Sequence, residues 1–407
     1  MHPLRHALHN ELHARPSLYF SEPAYVFHLA IMGSEVQRQA LLDSLYTEPV
    51  GDDLPQGIIR LDGHWLKWER HAEFFTLTYV VTAITDMPGW SSLPDALAAK
   101  ITPYTQLLIN SVQIVVRNKH SWGGDHAEYA FKDPCGSSIG GDDAAVWSDF
   151  RLSECGENRF LFINHHLNAY RQGRMIRRLL EIETYRMMAS LSLPAAKQLS
   201  SQLNDFDSTL ADLSERNAAT GKSNAKVLLT EIAALSAKVV SLSAKHRHRF
   251  SATQAYAQLV FERLAELREG RAGDCQRLGI FIERRFKPTV RYCAVTEQRL
   301  DVLAKSVANL GELLQARVQV EMEEQNAEIL KNLNARADAQ IKIQRAVEGL
   351  SIIAITYYVL SLLKLLYSGV HLLGVDLSPR SAVILMAPIA TLMLLQILMR
   401  IRAVKNH

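Results

Sequence analysis

The sequence has few cysteines and none of the spacings that cysteine chemistry uses. Four cysteines occur in 407 residues, and no two of them form a Cys-x-x-Cys pair. This pattern argues against a disulfide framework and is typical of reduced thiols in the cytoplasm. The first residues, MHPLRHALHNELHARP, also lack the apolar run of a secretory signal peptide. We therefore expect the N-terminal part of the chain to lie in the cytoplasm.

Signatures of nucleotide and nucleic-acid binding are also missing. The most glycine-rich stretch, Gly136–Asp143 (GSSIGGDD), contains neither Gly-x-Gly-x-x-Gly nor a phosphate-loop lysine. A plain hairpin loop is therefore favoured over a phosphate cradle. Lysine and arginine are scattered along the chain, and the formal net charge is only +3. We expect no nucleic-acid partner, because such partners select a concentrated basic surface.

Proline is absent from long parts of the C-terminal half. None lies between Pro194 and Pro288, or between Pro288 and Pro379. The pattern predicts one helix that stops before Pro194, and further helices over Ala195–Ala218 and Asn224–Glu269. These helices should pack as antiparallel hairpins on the preceding domain.

A longer helix is predicted from Thr289 onward, because apolar residues recur there every third or fourth position. The regular part of this seam comprises Leu300, Leu303, Val307, Leu310, Leu314, Val318 and Met322. A less regular part continues through Ile329, Leu333, Ala337, Ile341 and Val347. Sustained spacing of this kind is typical of a coiled-coil-like stalk. Such a helix needs partners along its seam, so we expect a homo-oligomer.

The N-terminal part of the chain carries short runs of β-branched and aromatic residues separated by turns. The predicted strands are Ala24–Met32, Gly57–Trp68, Phe74–Ala83, Asn110–Val116, Ala145–Arg151 and Arg159–His165. Helices around Glu35–Leu45 and Leu93–Leu108 interrupt them. We expect an α+β cytoplasmic head with a largely antiparallel sheet.

Two apolar segments near the end of the chain are long enough to cross a bilayer. They are Gly349–Val370 and Ala382–Met399, about 33 and 27 Å long at a rise of about 1.5 Å per residue. The basic residues that flank the pair are Arg336, Lys342, Arg345, Arg400, Arg402 and Lys405. The positive-inside rule places both flanks in the cytoplasm. We expect a transmembrane hairpin in a bacterial inner membrane; core helices of a soluble protein are the alternative.

These patterns divide the chain into four parts. We expect the α+β head over residues 1–167 and a helical layer of antiparallel helices over 168–288. The long stalk helix should cover 289–348, and the transmembrane hairpin with its basic C-terminal tail should cover 349–407. Both chain termini should then lie in the cytoplasm.

Four histidines share one face of the predicted N-terminal helix. His2, His6, His9 and His13 are four, three and four residues apart, and Glu11 lies between the last two. Histidines one turn apart can share a metal ion, so His6, His9 and His13 are candidate ligands for a divalent cation. The order His-x-Glu-x-His differs from the His-Glu-x-x-His of zinc proteases. Packing on the head or exposure to solvent is the alternative interpretation.

The first apolar segment carries a polar stripe. Tyr357, Ser361, Lys364, Ser368 and His371 are spaced four, three, four and three residues apart, so they share one face of a helix. In a membrane such a face lines a bundle interior or a wet pathway. In a pore, however, Lys364 would contribute a ring of positive charges that repels cations. Alternatively, Lys364 extends to the outer interface and the two serines support helix packing.

Five stretches of the sequence carry a family resemblance. They are HPLRHALHNELHARP, RHAEFFT, GRMIRRLLEIETYRMMASLSLP, EEQN and AVEGLSIIAITYYV. With them the chain resembles a bacterial family of membrane-anchored proteins that carries a domain-of-unknown-function label. The resemblance covers almost the whole chain and implies no established activity. The matching motif positions are Asn10, Glu11, His13, Ala14, Arg15, Pro16, His71, Glu73, Thr76, Glu181, Glu183 and Arg186.

The predicted architecture is also similar to that of CorA-type magnesium transporters. That resemblance implies a pentamer whose first membrane helix lines a pore, with a Gly-Met-Asn motif at its outer mouth. Here Gly369, Val370 and His371 stand at the corresponding place, so a histidine replaces the asparagine. This replacement weakens the expectation of an outer cation site.

Three functions follow from these observations. The favoured one is a membrane-anchored, homo-oligomeric scaffold or interaction module without evident catalysis, which requires no cofactor. The second is a CorA-like pentameric channel or transporter with a degenerate outer motif. The third is a metal-dependent enzyme that uses the N-terminal histidines with Glu11, or the adjacent His165 and His166. The first is favoured because a strong membrane signal stands beside no convincing catalytic constellation.

Overall fold

The computed structural model describes residues 2, 5–10, 17–46, 55–82, 89–219, 225–372 and 379–405. The chain divides into two compact units, Met1–Leu314 and Gln315–His407. The first unit contains one β-sheet and the helices packed on it. The described part of the second unit is helical.

A mixed sheet of nine strands forms the centre of the first unit. The strands are β1 (Ala24–Met32), β2 (Gln56–Leu61), β3 (His64–Arg70), β4 (Phe74–Thr82), β5 (Leu108–Asn118), β6 (Cys135–Ile139), β7 (Ala144–Ser148), β8 (Asn158–Asn164) and β9 (Gly270–Arg271). Their order across the sheet is β2-β3-β4-β1-β5-β8-β7-β6-β9. Of the neighbouring strands described, β5 and β8 are parallel and the others are antiparallel. The predicted α+β class with a largely antiparallel sheet is therefore confirmed.

One predicted strand and one predicted loop differ from the observed structure for local reasons. The predicted strand Gly57–Trp68 is a hairpin of β2 and β3, because Asp62 and Gly63 adopt φ angles of 52° and 81° and form a tight turn. Half of the predicted loop Gly136–Asp143 is strand β6, and only residues 140–143 form a turn. Gly136 lies opposite Trp147, where a Cβ atom would overlap the indole ring. The glycine there makes room for a tryptophan within a strand.

In the described part of the chain, three short α-helices precede β8 in sequence, and the α-helices that follow it are 22 to 95 residues long. They are α1 (Arg5–Asn10), α2 (Glu35–Leu45), α3 (Asp95–Ile101), α4 (Ala169–Ser190), α5 (Ser192–Ala219), α6 (Ala225–Glu266), α7 (Leu278–Leu372) and α8 (Pro379–Lys405). The prediction that a helix begins near Thr289 is wrong, because α7 begins at Leu278 and contains Pro288. Proline lacks a backbone donor and usually marks a helix start. Here it lies on the exposed side of a continuous helix.

Both faces of the sheet are covered. Helix α4 packs on one face, where Ile176 and Leu179 join Val26 and Val112 in the main core. Helices α2 and α3 cover part of the other face through a second cluster. Side chains of β1 on both faces are therefore buried, and the strand reads as a continuous apolar run rather than an alternating one.

A second core lies among α5, α6 and the first part of α7. Leu203 of α5, Ile232 of α6, and Leu303 and Leu310 of α7 belong to one buried cluster. Leu314 closes this cluster at the end of the first unit. The predicted seam from Leu300 to Leu314 is thus covered within the same chain. Within this part, α5 and α6 supply apolar partners for the seam, and the expected homo-oligomer stays a prediction.

The second unit contains the rest of α7, together with α8. Two described helices are long and apolar enough to cross a membrane. One is α6, in which 22% of the most apolar window is buried; the other is α7 up to Val370, in which 0% is buried. Helix α8 includes the second predicted segment, residues 382–399.

Candidate functional site

Polar side chains form two rows across the sheet face beneath α4. In the register of β1, β4 and β3, His28 lies beside Thr78, and Thr78 lies beside Lys67. Two residues further along, Thr76 of β4 lies beside Glu69 of β3. Side chains paired across neighbouring strands point to the same face. The rows therefore place a basic, an acidic and several hydroxyl groups inside an otherwise apolar layer.

His28 is held by hydroxyl groups on both of its ring nitrogens. Its Nδ1 atom lies 2.8 Å from Thr78 Oγ1, and its Nε2 atom lies 3.0 Å from Thr184 Oγ1 on α4. Asn110 of β5 donates to the same Thr184 oxygen at 3.2 Å. Burial lowers the pKa of His28 to about 3, and the nearby charges of His71 and Lys67 act in the same direction. His28 is therefore a neutral imidazole at physiological pH.

Lys67 is the buried cation of this face. Its side chain is 4% exposed, and its Nζ atom lies 2.9 Å from Glu69 Oε1. Burial lowers the pKa of Lys67, while the carboxylate of Glu69 opposes that effect. Glu69 is thus the partner that offsets the burial of the Lys67 ammonium inside the layer.

A small cavity of about 50 Å³ lies between these rows and α4. Residues 17–20 close one side of it, and the Phe20 carbonyl accepts a hydrogen bond from Gln172 Nε2 at 2.8 Å. Gly173 allows this segment to approach α4, because a Cβ atom there would overlap the Leu18 carbonyl oxygen. We call residues 17–20 the closing segment. It follows directly after the N-terminal family motif in sequence.

Three of the predicted family-motif residues line the cavity. They are His71, Thr76 and Glu181. Glu181 of α4 pairs with Arg177 at 2.6 Å, and also with Arg263 of α6. The structure therefore brings together motif positions that lie about one hundred residues apart in sequence.

Glu73 connects the β3–β4 turn to α6. One of its carboxylate oxygens lies 3.1 Å from Arg249 Nη1, and the other accepts a hydrogen bond from the Tyr256 hydroxyl at 2.9 Å. Burial raises the pKa of Tyr256, and the negative charge of Glu73 adds to the effect. The tyrosine therefore acts as a neutral donor, and Glu73 has a structural contact on each oxygen.

Glu183 and Arg186 form a separate site on α4. The Glu183 side chain is 0% exposed and accepts two hydrogen bonds from Arg186, at 2.9 and 2.8 Å. Asn158 of β8 donates a third at 2.7 Å. The paired carboxylate raises the pKa of the Arg186 guanidinium. A fully buried carboxylate of this kind fixes the orientation of the arginine.

The N-terminal histidines are only partly described. His6 and His9 lie on α1, and both are exposed. Asn10 ends this helix. Predicted positions Glu11, His13, Ala14, Arg15 and Pro16 lie outside the described residues. Within the described part of the chain, no group of three His, Cys, Asp or Glu side chains is placed to hold a metal.

The other predicted pair, His165 and His166, lies after β8. The two ring centroids are 6.5 Å apart, and His165 Nδ1 lies 3.1 Å from the Asp142 carbonyl oxygen. That contact uses one ring nitrogen of His165 on the β6–β7 turn. The pair is thus placed on a turn, away from the cavity.

The predicted polar stripe lies on α7 in the second unit. Tyr357, Lys364, Ser368 and Gly369 are exposed, and Ser361 is half-buried. Ser368 donates a hydrogen bond to the Lys364 carbonyl oxygen at 3.1 Å, as serines in helices commonly do. His371 belongs to the same helix. The stripe is therefore helical as predicted, and its role stays a prediction.

Several cavity residues were not identified from sequence, namely His28, Lys67, Glu69 and Thr184. Lys67 and Glu69 alternate with tryptophan and arginine in HWLKWER, which resembles a strand with one solvated face. The sheet is covered on both faces, so the alternate positions are buried as well. The buried sheet face beneath α4 therefore contains a network of paired polar groups around a small cavity.

Comparison with known proteins gives a match to a protein family. The model of the family described as protein of unknown function (DUF3422) matches residues 1–405. No curated protein and no solved structure matches the chain, so the likeness to CorA-type transporters stays a prediction. The resemblance to a family with a domain of unknown function is confirmed over almost the full length. The chain therefore belongs to the DUF3422 family.

Proposed function

We propose that this protein is anchored in a membrane through α7 and α8, and that its α+β unit is a cytoplasmic interaction module. One observation carries the anchoring proposal. The most apolar window of α7 has no side chains buried within the structure. A helix surface of this kind is stable only when lipid or another protein covers it.

The amount of exposed apolar surface supports this proposal. Within residues 349–370 the large exposed side chains are Leu350, Ile353, Tyr357, Tyr358, Leu360, Leu362, Leu365 and Leu366. Transfer of each such side chain from water to an apolar environment lowers the free energy by about 1.5–3 kcal/mol. The total stabilisation is on the order of 10–20 kcal/mol. That sum is as large as the whole stability of a typical domain. The second unit is therefore strongly stabilised when this surface is covered.

Helix α6 offers a contrast of similar hydropathy. Its apolar residues Leu228, Ile232, Leu235 and Val239 are buried against α5 and α7 in one cluster. Part of the apolar surface of α6 is thus covered by the core of the first unit. The most apolar window of α7, by contrast, has no buried side chain.

The proposed anchor is a hairpin with crossings at residues 349–370 and 382–399. The lysines and arginines before the first crossing and after the second favour the cytoplasm for both flanks. On this basis we place the protein in the bacterial inner membrane, with both termini inside.

Self-association is the second part of the proposal. Beyond Leu314, the seam residues Met322, Ile329, Leu333 and Val347 are between 53% and 56% exposed. Apolar residues at this spacing pack well against copies of the same helix. A homo-oligomer formed through this part of α7 would cover them.

The polar cavity supports a binding role rather than catalysis for the first unit. His28 is bonded on both ring nitrogens, and Lys67 is paired with Glu69. Groups that are already fully paired hold a shape well and have little freedom to exchange protons. The cavity thus favours an interaction module over an enzyme.

Two truncations test the anchor. The full chain should stay with membranes after alkaline extraction, whereas chains that end at Glu348 or at Leu314 should appear in the soluble fraction. If the chain ending at Glu348 remained in the membrane, the anchor would lie elsewhere. The Leu314 truncation is the matched control, because it removes the whole second unit and keeps the first complete.

A labelling experiment tests the orientation. The thiol of the variant Ser378→Cys should react with a membrane-impermeant maleimide in intact cells. Cys155 is exposed in the first unit and should react only after lysis, so it serves as an internal control. Reaction of Cys155 in intact cells would place the first unit outside and reject the proposed topology.

A further inference from the structure

A second pocket lies at the opposite end of α4 from the closing segment. Loop residues Lys132 and Asp133 before β6, loop residues Asp149–Arg151 after β7, and Arg186 of α4 line it. Phe281 and Arg285 of α7 complete the wall. Its volume is about 340 Å³. We call it the basic pocket, and all of it lies within the first unit.

The pocket contains more positive than negative groups. Four cations line it, Lys132, Arg151, Arg186 and Arg285, against the two carboxylates of Asp133 and Asp149. Buried Glu183 pairs with Arg186, so with its carboxylate included the formal excess is one positive charge. Among the described residues, the side chains of Lys132, Arg151 and Arg285 form no ion pair. These three cations are available to a ligand.

Asp149 holds the loops of the pocket together through hydrogen bonds to backbone N–H groups. One of its carboxylate oxygens accepts a hydrogen bond from the Lys132 backbone N–H, and the other accepts one from the Arg151 backbone N–H, both at 3.0 Å. These contacts hold the two loops side by side. They therefore bring the Lys132 and Arg151 side chains to the same edge of the pocket.

Buried Glu183 fixes the orientation of the Arg186 side chain. Its Nε and Nη2 atoms donate to buried Glu183, while its Nη1 atom makes no hydrogen bond within the described part of the chain. The Arg186 side chain is 28% exposed. A guanidinium fixed on one edge and open on the other is well suited to bind an anion, because little side-chain entropy is lost on binding.

An aromatic wall stands beside the cations. The rings of Phe150 and Phe281 are stacked, with centroids 5.0 Å apart and planes inclined by 14°. The Arg285 guanidinium lies over the Phe281 ring, 3.8 Å from its centroid. Phe150 adopts a φ angle of 52°, an unfavourable region for a bulky residue. This conformation directs the backbone so that an aromatic ring lies next to the cationic edge.

We infer that the basic pocket binds a small phosphate monoester that carries an apolar or aromatic portion. The net positive charge of the pocket attracts a phosphate, and arginine forks match its oxygen geometry. The apolar portion would lie along Phe150 and Phe281. This site goes beyond the anchoring role and is independent of it, because it lies wholly within the first unit.

Calorimetric titration of the purified full chain in detergent with phenyl phosphate tests this site. We expect saturable binding that is stronger than the binding of inorganic phosphate, because the phenyl ring adds contact with the aromatic wall. Arg151→Gln and Arg285→Gln should each weaken binding by about fivefold or more. Arg284→Gln is the matched control, because Arg284 is exposed on the same helix and does not line the pocket. It should leave the affinity unchanged.

Two results would overturn the inference. One is the absence of saturable binding of phenyl phosphate; the other is an Arg284→Gln effect as large as that of Arg285→Gln. Competition then identifies the source of the phosphate. Displacement by adenosine 5′-monophosphate supports a soluble nucleotide, and displacement by dihexanoyl phosphatidic acid supports a lipid headgroup. Failure of both to displace phenyl phosphate would reject a natural monoester ligand.

Discussion

His28 and Lys67 are two polar residues in the buried layer between the sheet and α4. Both occupy inward positions where apolar side chains are usual, and both are completely or almost completely paired. A buried polar group costs stability unless each of its partners is present. The polar rows therefore require the alignment of three strands and α4, and they favour a single packing arrangement over its alternatives.

The buried neutral state of His28 should make the free energy of unfolding depend on pH. Its pKa is about 3 in the folded chain and near 6.5 when the chain is unfolded, so the unfolded chain binds the extra proton between these values. Stability is therefore complete above about pH 6.5 and falls as the pH decreases, by about 1.4 kcal/mol per unit. Between pH 7 and 5 we expect a loss of about 2 kcal/mol from this residue. Urea denaturation at the two pH values measures it.

The variant His28→Gln separates this contribution from other titrations. Glutamine keeps hydrogen-bonding capacity toward the two threonines but does not titrate. The variant should show a smaller loss of stability between pH 7 and 5 than the natural chain. An equal loss in both proteins would assign the pH dependence to other groups.

At the scale of elements, α4 connects the described sites. One part of it covers the polar cavity, another holds the closing segment through Gln172 and Gly173, and its C-terminal part carries Arg186. Successive side chains of this 22-residue helix point in different directions. Some therefore face the sheet and others face α6. The family-motif residues of α4 are therefore distributed between the cavity and the basic pocket.

Two glycine substitutions test the attachment of the closing segment to α4. Gly173→Ala should destabilise the first unit by about 1–3 kcal/mol, because its Cβ atom would overlap the Leu18 carbonyl oxygen. Gly311→Ala is the control: the nearest atom to its Cβ would be Ile232 Cγ2 at 4.0 Å. Removing a helical glycine there should stabilise α7 by up to about 1 kcal/mol.

Hydrogen exchange provides the matching local measurement for these variants. Amide protection at residues 17–20 should fall in Gly173→Ala and stay unchanged in Gly311→Ala. If both variants kept the natural protection and stability, the close approach at Gly173 would have no energetic role.

At the scale of the whole molecule, α7 belongs to two compact units of different character. Up to Leu314 its apolar seam is buried by α5 and α6, whereas Val318 is half-buried and Met322, Ile329, Leu333 and Val347 are exposed. The same sequence periodicity thus serves a core in one unit and an uncovered stripe in the other. This difference decides which part of the helix can contact a second copy of the chain.

Paired substitutions on this seam, read by native mass spectrometry in detergent, test self-association. Leu310→Ala should lower the free energy of unfolding by about 2–5 kcal/mol and leave the number of subunits unchanged, because Leu310 lies in the intramolecular core. Leu333→Glu should lower the number of subunits and leave the stability of the first unit unchanged. An unchanged subunit number in Leu333→Glu would argue against association through this stripe.

The subunit number itself distinguishes the two membrane hypotheses. A pentamer would favour the CorA-like conduit, and ion flux through liposomes containing Lys364→Ser would then be the next measurement. A monomer or dimer could not enclose a pore with two crossings per chain. That outcome would favour the tethered interaction module.

Much of the fold could be predicted from local patterns. β1 and α2 have the predicted bounds, Ala24–Met32 and Glu35–Leu45, because β-branched runs and a Ser34 capping box are strong local signals. The sequence predicts a helix start near Thr289, because a proline commonly marks a helix boundary. Helix α7 instead begins at Leu278 and continues through Pro288. Strand β6 was missed, because its glycine and serines resemble a loop until Trp147 is placed opposite.

The candidate sites were harder to predict, since they join distant segments. Glu181 and Arg186 were identified by resemblance alone, and nothing local shows that one lines a cavity and the other a basic pocket. His28 and Lys67 meet only through strand register. Register depends on pairing partners far away in sequence, which a single chain does not reveal by its local pattern.

The sequence by itself determined the secondary structure class, the family and the two apolar segments, because periodicity, composition and motifs are local properties of a chain. Tertiary structure decided which apolar helix is covered, which half of the seam is a core, and which polar residues meet. Burial depends on what packs against a residue, and that is a property of the whole fold. The resulting picture is an α+β unit with two polar sites, followed by a helix α7 whose most apolar window has no buried side chain.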